Sequence, residues 1–209
     1  MKTRFLILIS ICIILSPISW SQDNNHQFRT GFSYGLGTQQ MFPYYSKDYL
    51  YNFNSFKALF NYTLKDGLFS FEIQAEPSLF ISKHTLLNAS FVQPDYGPNY
   101  LLLREIYTKE KTITEFALNI GIQVRFNPKG RFSYSFLVSS GPMFSDTDTE
   151  RLAKGFAFSD VFAIGILYKI NNLCFEFRPG VRHASNLDLK FPNSGHNSCT
   201  IDFGVSVEM

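Results

Sequence analysis

Residues 114–126 read TEFALNIGIQVRF. Phe116, Leu118, Ile120, Ile122, Val124 and Phe126 occupy even positions, and Glu115, Asn119, Gln123 and Arg125 occupy odd ones. Side chains of a β-strand alternate between its two faces, so this stretch predicts a strand with one apolar face and one charged face. Asn127-Pro128-Lys129-Gly130 then turns the chain. The reading turns on where the apolar face points, into a soluble core or out into lipid.

The same pattern repeats on both sides. Downstream, RFSYSFLVSS (131–140) sets Phe132, Tyr134, Phe136 and Val138 against serines. A sixth strand carries Phe162, Ile164, Ile166 and Tyr168 on one face, a seventh runs LCFEFRPGVRHAS (173–185), and an eighth runs CTIDFGVSVEM (199–209). Upstream, strands are expected near 28–37, near 51–64 and from Leu68, while 82–112 shows no clean period and reads as a loop. Short turns (65–67, 127–131, 171–172) alternate with long connections (38–50, 82–112, 146–155, 186–197). A soluble sandwich or lipocalin-like barrel would have to enclose large aromatic and aliphatic side chains from every strand. Phe 23 and Tyr 11 at a mean hydropathy of −0.04 fit the other orientation better, with apolar residues outward and charges paired inside. The fold class expected is all-β: an eight-stranded antiparallel outer-membrane β-barrel, closed because hydrocarbon cannot satisfy a strand edge. Eight strands enclose an interior that side chains fill, without an open channel.

The N-terminus agrees with that location. MKTRFLILISICIILSPISWSQ has basic Lys2 and Arg4, an apolar run from Phe5 to Leu15, Pro17, and small residues at Ser19 and Ser21. This is the pattern of a secretory signal peptide (1–21) cleaved after Ser21, which leaves 22–209 as a single transmembrane β-barrel domain. A lipoprotein site at Cys12 is the weaker alternative, because Ile11 stands where a small residue is wanted. Lys+Arg 19 against Asp+Glu 17 falls to balance once Lys2 and Arg4 are removed, so no nucleic-acid partner is expected. Cys174 and Cys199 form neither a disulfide framework nor a metal pattern and fall on opposite faces. No cofactor or metal is expected.

Parity also places the polar residues VRHASNLDLKFPNSGHN (181–197). In the seventh strand Leu173, Phe175, Phe177 and Val181 share the outer face, and counting on by twos puts His183 and Ser185 there. In the eighth, Ile201, Phe203, Val205 and Val207 extend back to Cys199 and Asn197. Polar groups turned toward lipid carry a cost unless they have a task. An i, i+2 His–Ser pair lies about 6–7 Å apart at the backbone, and a His within reach can take the Ser proton during attack on an ester. The plainer reading is that both residues mark the lipid–water interface.

His183-Ala184-Ser185-Asn186 followed by Pro192-Asn193-Ser194-Gly195 resembles the H-x-S-N and P-N-x-G motifs of the PagL-type lipid A 3-O-deacylase (acyloxyacyl hydrolase-like) family. The match covers about fifteen residues; the strand count and the signal peptide agree elsewhere. The resemblance implies an outer-membrane serine esterase that hydrolyses the 3-position hydroxyacyl ester of lipid A. Ser185 would be the nucleophile and His183 the general base. Asn193 would help form the oxyanion hole, and Asn186 would complete the motif. Lipopolysaccharide and outer-membrane lipids would be its partners. The family carries a Glu as third triad member; here the matching position is Asn197, which can orient the imidazole but supplies no charge. Asp188 is the nearest alternative carboxylate. The C-terminus also departs, since Val207-Glu208-Met209 lacks a final aromatic residue.

The competing function is a non-catalytic small barrel with a structural or binding role. His26, His84 and His196 lack ligand spacing and read as loop residues, and Asp146, Asp148 and Glu150 as a solvated acidic loop.

Overall fold

The computed structural model describes residues 28–209. The expected signal peptide and His26 lie outside the described residues. Eight strands form one closed antiparallel barrel in chain order: β1 (Phe28–Thr38), β2 (Tyr49–Lys65), β3 (Phe69–Leu86), β4 (Lys111–Phe126), β5 (Phe132–Ser145), β6 (Gly155–Ile170), β7 (Leu173–Ser185) and β8 (His196–Glu208). Pairing of β1 with β8, from Arg29 opposite Glu208 to Thr38 opposite Cys199, closes the ring. Among the described residues no strand edge is left without a partner, which is the condition for crossing hydrocarbon with strands.

The apolar set that opened the sequence reading faces outward. Ile120, Ile122 and Phe116 are exposed, as are Phe162, Ile164, Phe175 and Phe203 on the later strands. The opposite faces fill the lumen with paired charge. Glu72 meets Arg29 at 2.9 Å and Arg125 at 3.1 Å. Glu76 and Asp202 share Lys57 and Arg178 at 2.7–3.2 Å, and Arg182 meets Glu115 at 3.0 Å. Each ion gives up water at a cost of several kcal/mol, which close opposite charges and hydrogen bonds offset. The lumen is thus a plug of ion pairs. Tyr51, Phe53, Phe80, Ile113 and Met143 pack together around the Arg182–Glu115 pair.

Short turns close one end of the barrel and four long loops, 39–48, 87–110, 146–154 and 186–195, crown the other. β3 has 18 residues and β2 has 17, against the ten or so that cross a bilayer, so the strands rise beyond the lipid at the long-loop end. Three sequence expectations change here. The segment 82–112 is no structureless loop: β3 continues to Leu86, two 3₁₀ turns follow, and α1 (Tyr100–Tyr107) precedes β4. Tyr107, with Leu103 and Tyr100, packs on Leu86, Val92, Phe91 and Tyr96, a one-sided contact that breaks strand alternation. β5 reaches Ser145, and β8 starts at His196, so Asn197 lies inside a strand.

Candidate active site

β7 and β8 pair so that His183 stands opposite Asn197 and Ala184 opposite His196. Directly opposed residues on one face have Cβ atoms about 4.5–5.5 Å apart, close enough for their side chains to meet. His183 Nδ1 and Asn197 Oδ1 are 2.7 Å apart on the outer wall. An amide oxygen only accepts, so Nδ1 carries the proton and donates it to Asn197. In the neutral ring this leaves Nε2 as the nitrogen with a lone pair that can act as a base. Neither His183 nor Asn197 turns into the lumen; their neighbours Arg182, Ala184, His196 and Ser198 do, and all four are buried.

Ser185 is the last residue of β7 and lies opposite Phe158 of β6. It continues the outer face, yet only 8 % of it is exposed. The end of the β7–β8 loop covers it. A Cβ added at Gly195 would meet His183 Cε1 at 3.1 Å and Ser185 Cβ at 3.5 Å. That Cβ would also stand 2.7 Å from the Ala184 carbonyl oxygen, and Gly195 is at φ +67°, so a residue with a side chain would be strained and crowded there. No hydrogen bond joins Ser185 to His183 among the described residues. Catalytic hydrogen bonds are often long before substrate binds, so the gap does not exclude the pair.

The asparagines hold the loop. Asn186 N–H donates to Asn193 Oδ1 at 2.7 Å, and Asn193 Nδ2 donates to Asp188 at 3.0 Å. Asn186 Nδ2 donates to the Lys190 carbonyl at 2.7 Å. Leu187 and Asp188 follow in the left-handed region, at φ 52° and 61°. The chain therefore reverses within a few residues of Ser185. Asp188 sits on Asn193 and makes no contact with the imidazole, so the Nδ1 partner of His183 is Asn197. An oxyanion formed at Ser185 would compete with Asn193 Oδ1 for the Asn186 N–H.

A layer of residues beneath and beside the site has no sequence motif. His84 and His196 are not loop residues; both lie on strands and are buried in the lumen. His196 stacks on Tyr51, with ring centres 4.4 Å apart. Glu150 is no solvated loop acid either: it is fully buried, 2.8 Å from His84 Nε2. Thr149 Oγ1 approaches His196 Nε2 at 3.3 Å. Tyr96 donates its hydroxyl to the Glu150 carbonyl at 2.7 Å and meets the Phe191 ring edge-on. Burial, and then the nearby Glu150 charge, push the Tyr96 phenol up to about 12, so it remains a donor at neutral pH. These contacts exist only after the barrel closes, which is why spacing in the chain gave no sign of them. Cys174 is buried in the lumen and Cys199 lies on the outer face, both as free thiols. Among the described residues no group of three or more His, Cys, Asp or Glu is arranged to hold a metal ion.

Fold and site together define a class: an eight-stranded outer-membrane-type barrel with a His–Asn pair and an adjacent serine on its outer wall. The family model described as Lipid A 3-O-deacylase (PagL) matches residues 111–206, from the start of β4 nearly to the end of β8. The chain thus resembles that family over a segment that includes His183, Ser185, Asn186, Asn193 and Asn197. The crystal structure of the outer membrane enzyme PagL is similar at a TM-score of 0.54 and 11% identity, over 84% of this chain and 97% of that one. The crystal structure of Neisserial surface protein A (NspA) is similar at a TM-score of 0.50 and 9% identity, over 88% of this chain and 97% of that one. At these identities both show the shared fold alone. No curated protein matches the sequence.

Proposed function

We propose that this chain is an outer-membrane serine esterase that hydrolyses the 3-position hydroxyacyl ester of lipid A. The observation that carries the reading is the outward-facing His183, whose Nδ1 donates to Asn197 Oδ1 at 2.7 Å, two residues before Ser185 on the same face of β7. An ester at the foot of an acyl chain lies where lipid meets headgroup, so an enzyme embedded beside it must present its nucleophile on the outer wall. Both side chains face that way. The register row Ser185, Phe158, Pro142 leads across β6 to β5, where Pro142, Phe144 and Phe156 line an outer-wall hollow of about 580 Å³ suited to an acyl chain.

The steps follow from these atoms. Ser185 Oγ attacks the ester carbonyl carbon while His183 Nε2 takes its proton. The tetrahedral oxyanion draws on the Asn186 N–H and on the Asn193 amide, each of which must leave its loop partner. The bond from carbonyl carbon to sugar oxygen then breaks, and His183 gives its proton to that leaving oxygen, which departs as a hydroxyl. Water, deprotonated by the same nitrogen, releases the acyl chain from Ser185 as a carboxylic acid. Asn197 keeps the imidazole in the right tautomer but adds no charge to balance the imidazolium, so the reaction runs slower than with a carboxylate there. The proton goes to an imidazole throughout, so a chelator should leave activity unchanged. Removal of residues 1–21 and insertion of 22–209 into the outer membrane complete the reading.

The second reading, a non-catalytic barrel, draws support from the missing Ser185–His183 hydrogen bond. Lipopolysaccharide incubated with the refolded chain in detergent distinguishes the two. Mass spectrometry should show lipid A lighter by one hydroxyacyl chain, and lipid A that stays intact would leave the barrel without this activity.

A further inference from the structure

We infer that Arg151 is a positioning residue that sets the place of the His183 imidazole, acting through Gly195. The assignment rests on the reading of His183 as the base. Arg151 lies on the β5–β6 loop, far from the site in sequence and outside every motif. Its Nε donates to the Gly195 carbonyl at 2.7 Å and its Nη2 to the Ser194 carbonyl at 3.2 Å. The Gly195 N–H donates back to the Arg151 carbonyl at 2.9 Å. One residue thus fixes both sides of Gly195, the same glycine at which an added Cβ would come within 3.1 Å of His183 Cε1 and 3.5 Å of Ser185 Cβ.

The clamp has its own anchor. Thr149, Glu150 and Arg151 are consecutive. Glu150 is locked to His84 inside the lumen and Thr149 meets His196, so the loop cannot slide without opening buried hydrogen bonds. The guanidinium lies over the rings of Tyr49 at 4.5 Å and Phe91 at 5.3 Å, and Ala153 N–H donates to the Pro192 carbonyl at 3.0 Å. A planar fork that donates to two neighbouring carbonyls while stacked on aromatic rings is a task a lysine cannot repeat. Asn197 holds the imidazole at Nδ1, and Gly195 stands on its Cε1 side, with room between them for less than a methyl group. Arg151 sets where that glycine stands, and with it the space the ring can turn into.

The test reads the ring itself. The mature chain is refolded in detergent with ¹³C-labelled histidine, as wild type, Arg151→Ala, Arg151→Lys and Gly195→Ala. Folding is checked by the gel mobility of the unheated barrel, and the His183 Cε1–H resonance is identified by its loss in His183→Asn. That resonance is expected to move in Arg151→Ala, to move less in Arg151→Lys, and to move in Gly195→Ala, where a Cβ presses on the ring. On lipopolysaccharide, kcat should fall on the order of 10- to 100-fold in Arg151→Ala with KM within about twofold. A folded Arg151→Ala whose His183 resonance stays in place overturns the assignment. Should that variant not fold, Arg151→Lys carries the same test, because an ammonium lacks the fork. If the resonance moves but the wild type cleaves no ester, the positioning stands and the esterase reading falls.

Discussion

At the scale of the residue, the proposed mechanism makes Asn197 the group that governs how good a base His183 is. Its Oδ1 accepts the Nδ1 proton at 2.7 Å, which fixes the tautomer, but an amide cannot stabilise the imidazolium that forms during attack. Asn197→Asp keeps size and acceptor and adds the charge. It is expected to raise kcat about tenfold or more, and Asn197→Leu to lower it by at least about tenfold, with initial rates of hydroxyacyl release as the measure. An unchanged rate in both would remove Asn197 from the mechanism. His183 and Ser185 were legible in the sequence because parity survives to the last residue of a strand, and Asn197 because β8 keeps the same alternation. Arg151, His84 and Glu150 were not. They meet only across the closed barrel, and 66 residues separate His84 from Glu150.

At the scale of the element, the strands and the loops of this chain obey different rules. β4 and β7 could be read directly, since one face meets lipid and the other meets paired charge. The β3–β4 connection could not, because α1 covers a single one-sided cluster and is too short to show a helical period clearly. The β5–β6 loop looked solvated, since its acids are spaced like those of a polar loop, yet Glu150 turns inward to His84. That contact makes the loop a strap over the lumen. Glu150→Ala is expected to speed hydrogen exchange in 146–154 and also in 186–195, which Arg151 ties to it. Faster exchange in the first segment alone would show that the two loops are not coupled. Within the lumen, Glu115→Ala leaves the buried Arg182 without its carboxylate at 3.0 Å. The cost should be about 3–5 kcal/mol, read from urea unfolding in vesicles.

At the scale of the whole molecule, the barrel places charge inside and aromatic and aliphatic side chains outside, the reverse of a soluble domain. Ile164, 61 % exposed on the outer wall of β6, belongs in hydrocarbon. Ile164→Lys should cost about 2–4 kcal/mol in a bilayer if it sits near the midplane, measured by the same unfolding experiment. A neutral result would argue that this wall meets water. The same inversion fits the proposed esterase site, since only the outer wall of a filled barrel reaches a lipid ester. The most direct test of that claim is covalent trapping of Ser185. The refolded protein is treated with a lipophilic fluorophosphonate and its peptides are mapped by mass spectrometry. The account predicts an adduct on Ser185 in the wild type that is lost in His183→Asn. A wild-type Ser185 peptide that stays unmodified, or an adduct that forms equally well without His183, would contradict it.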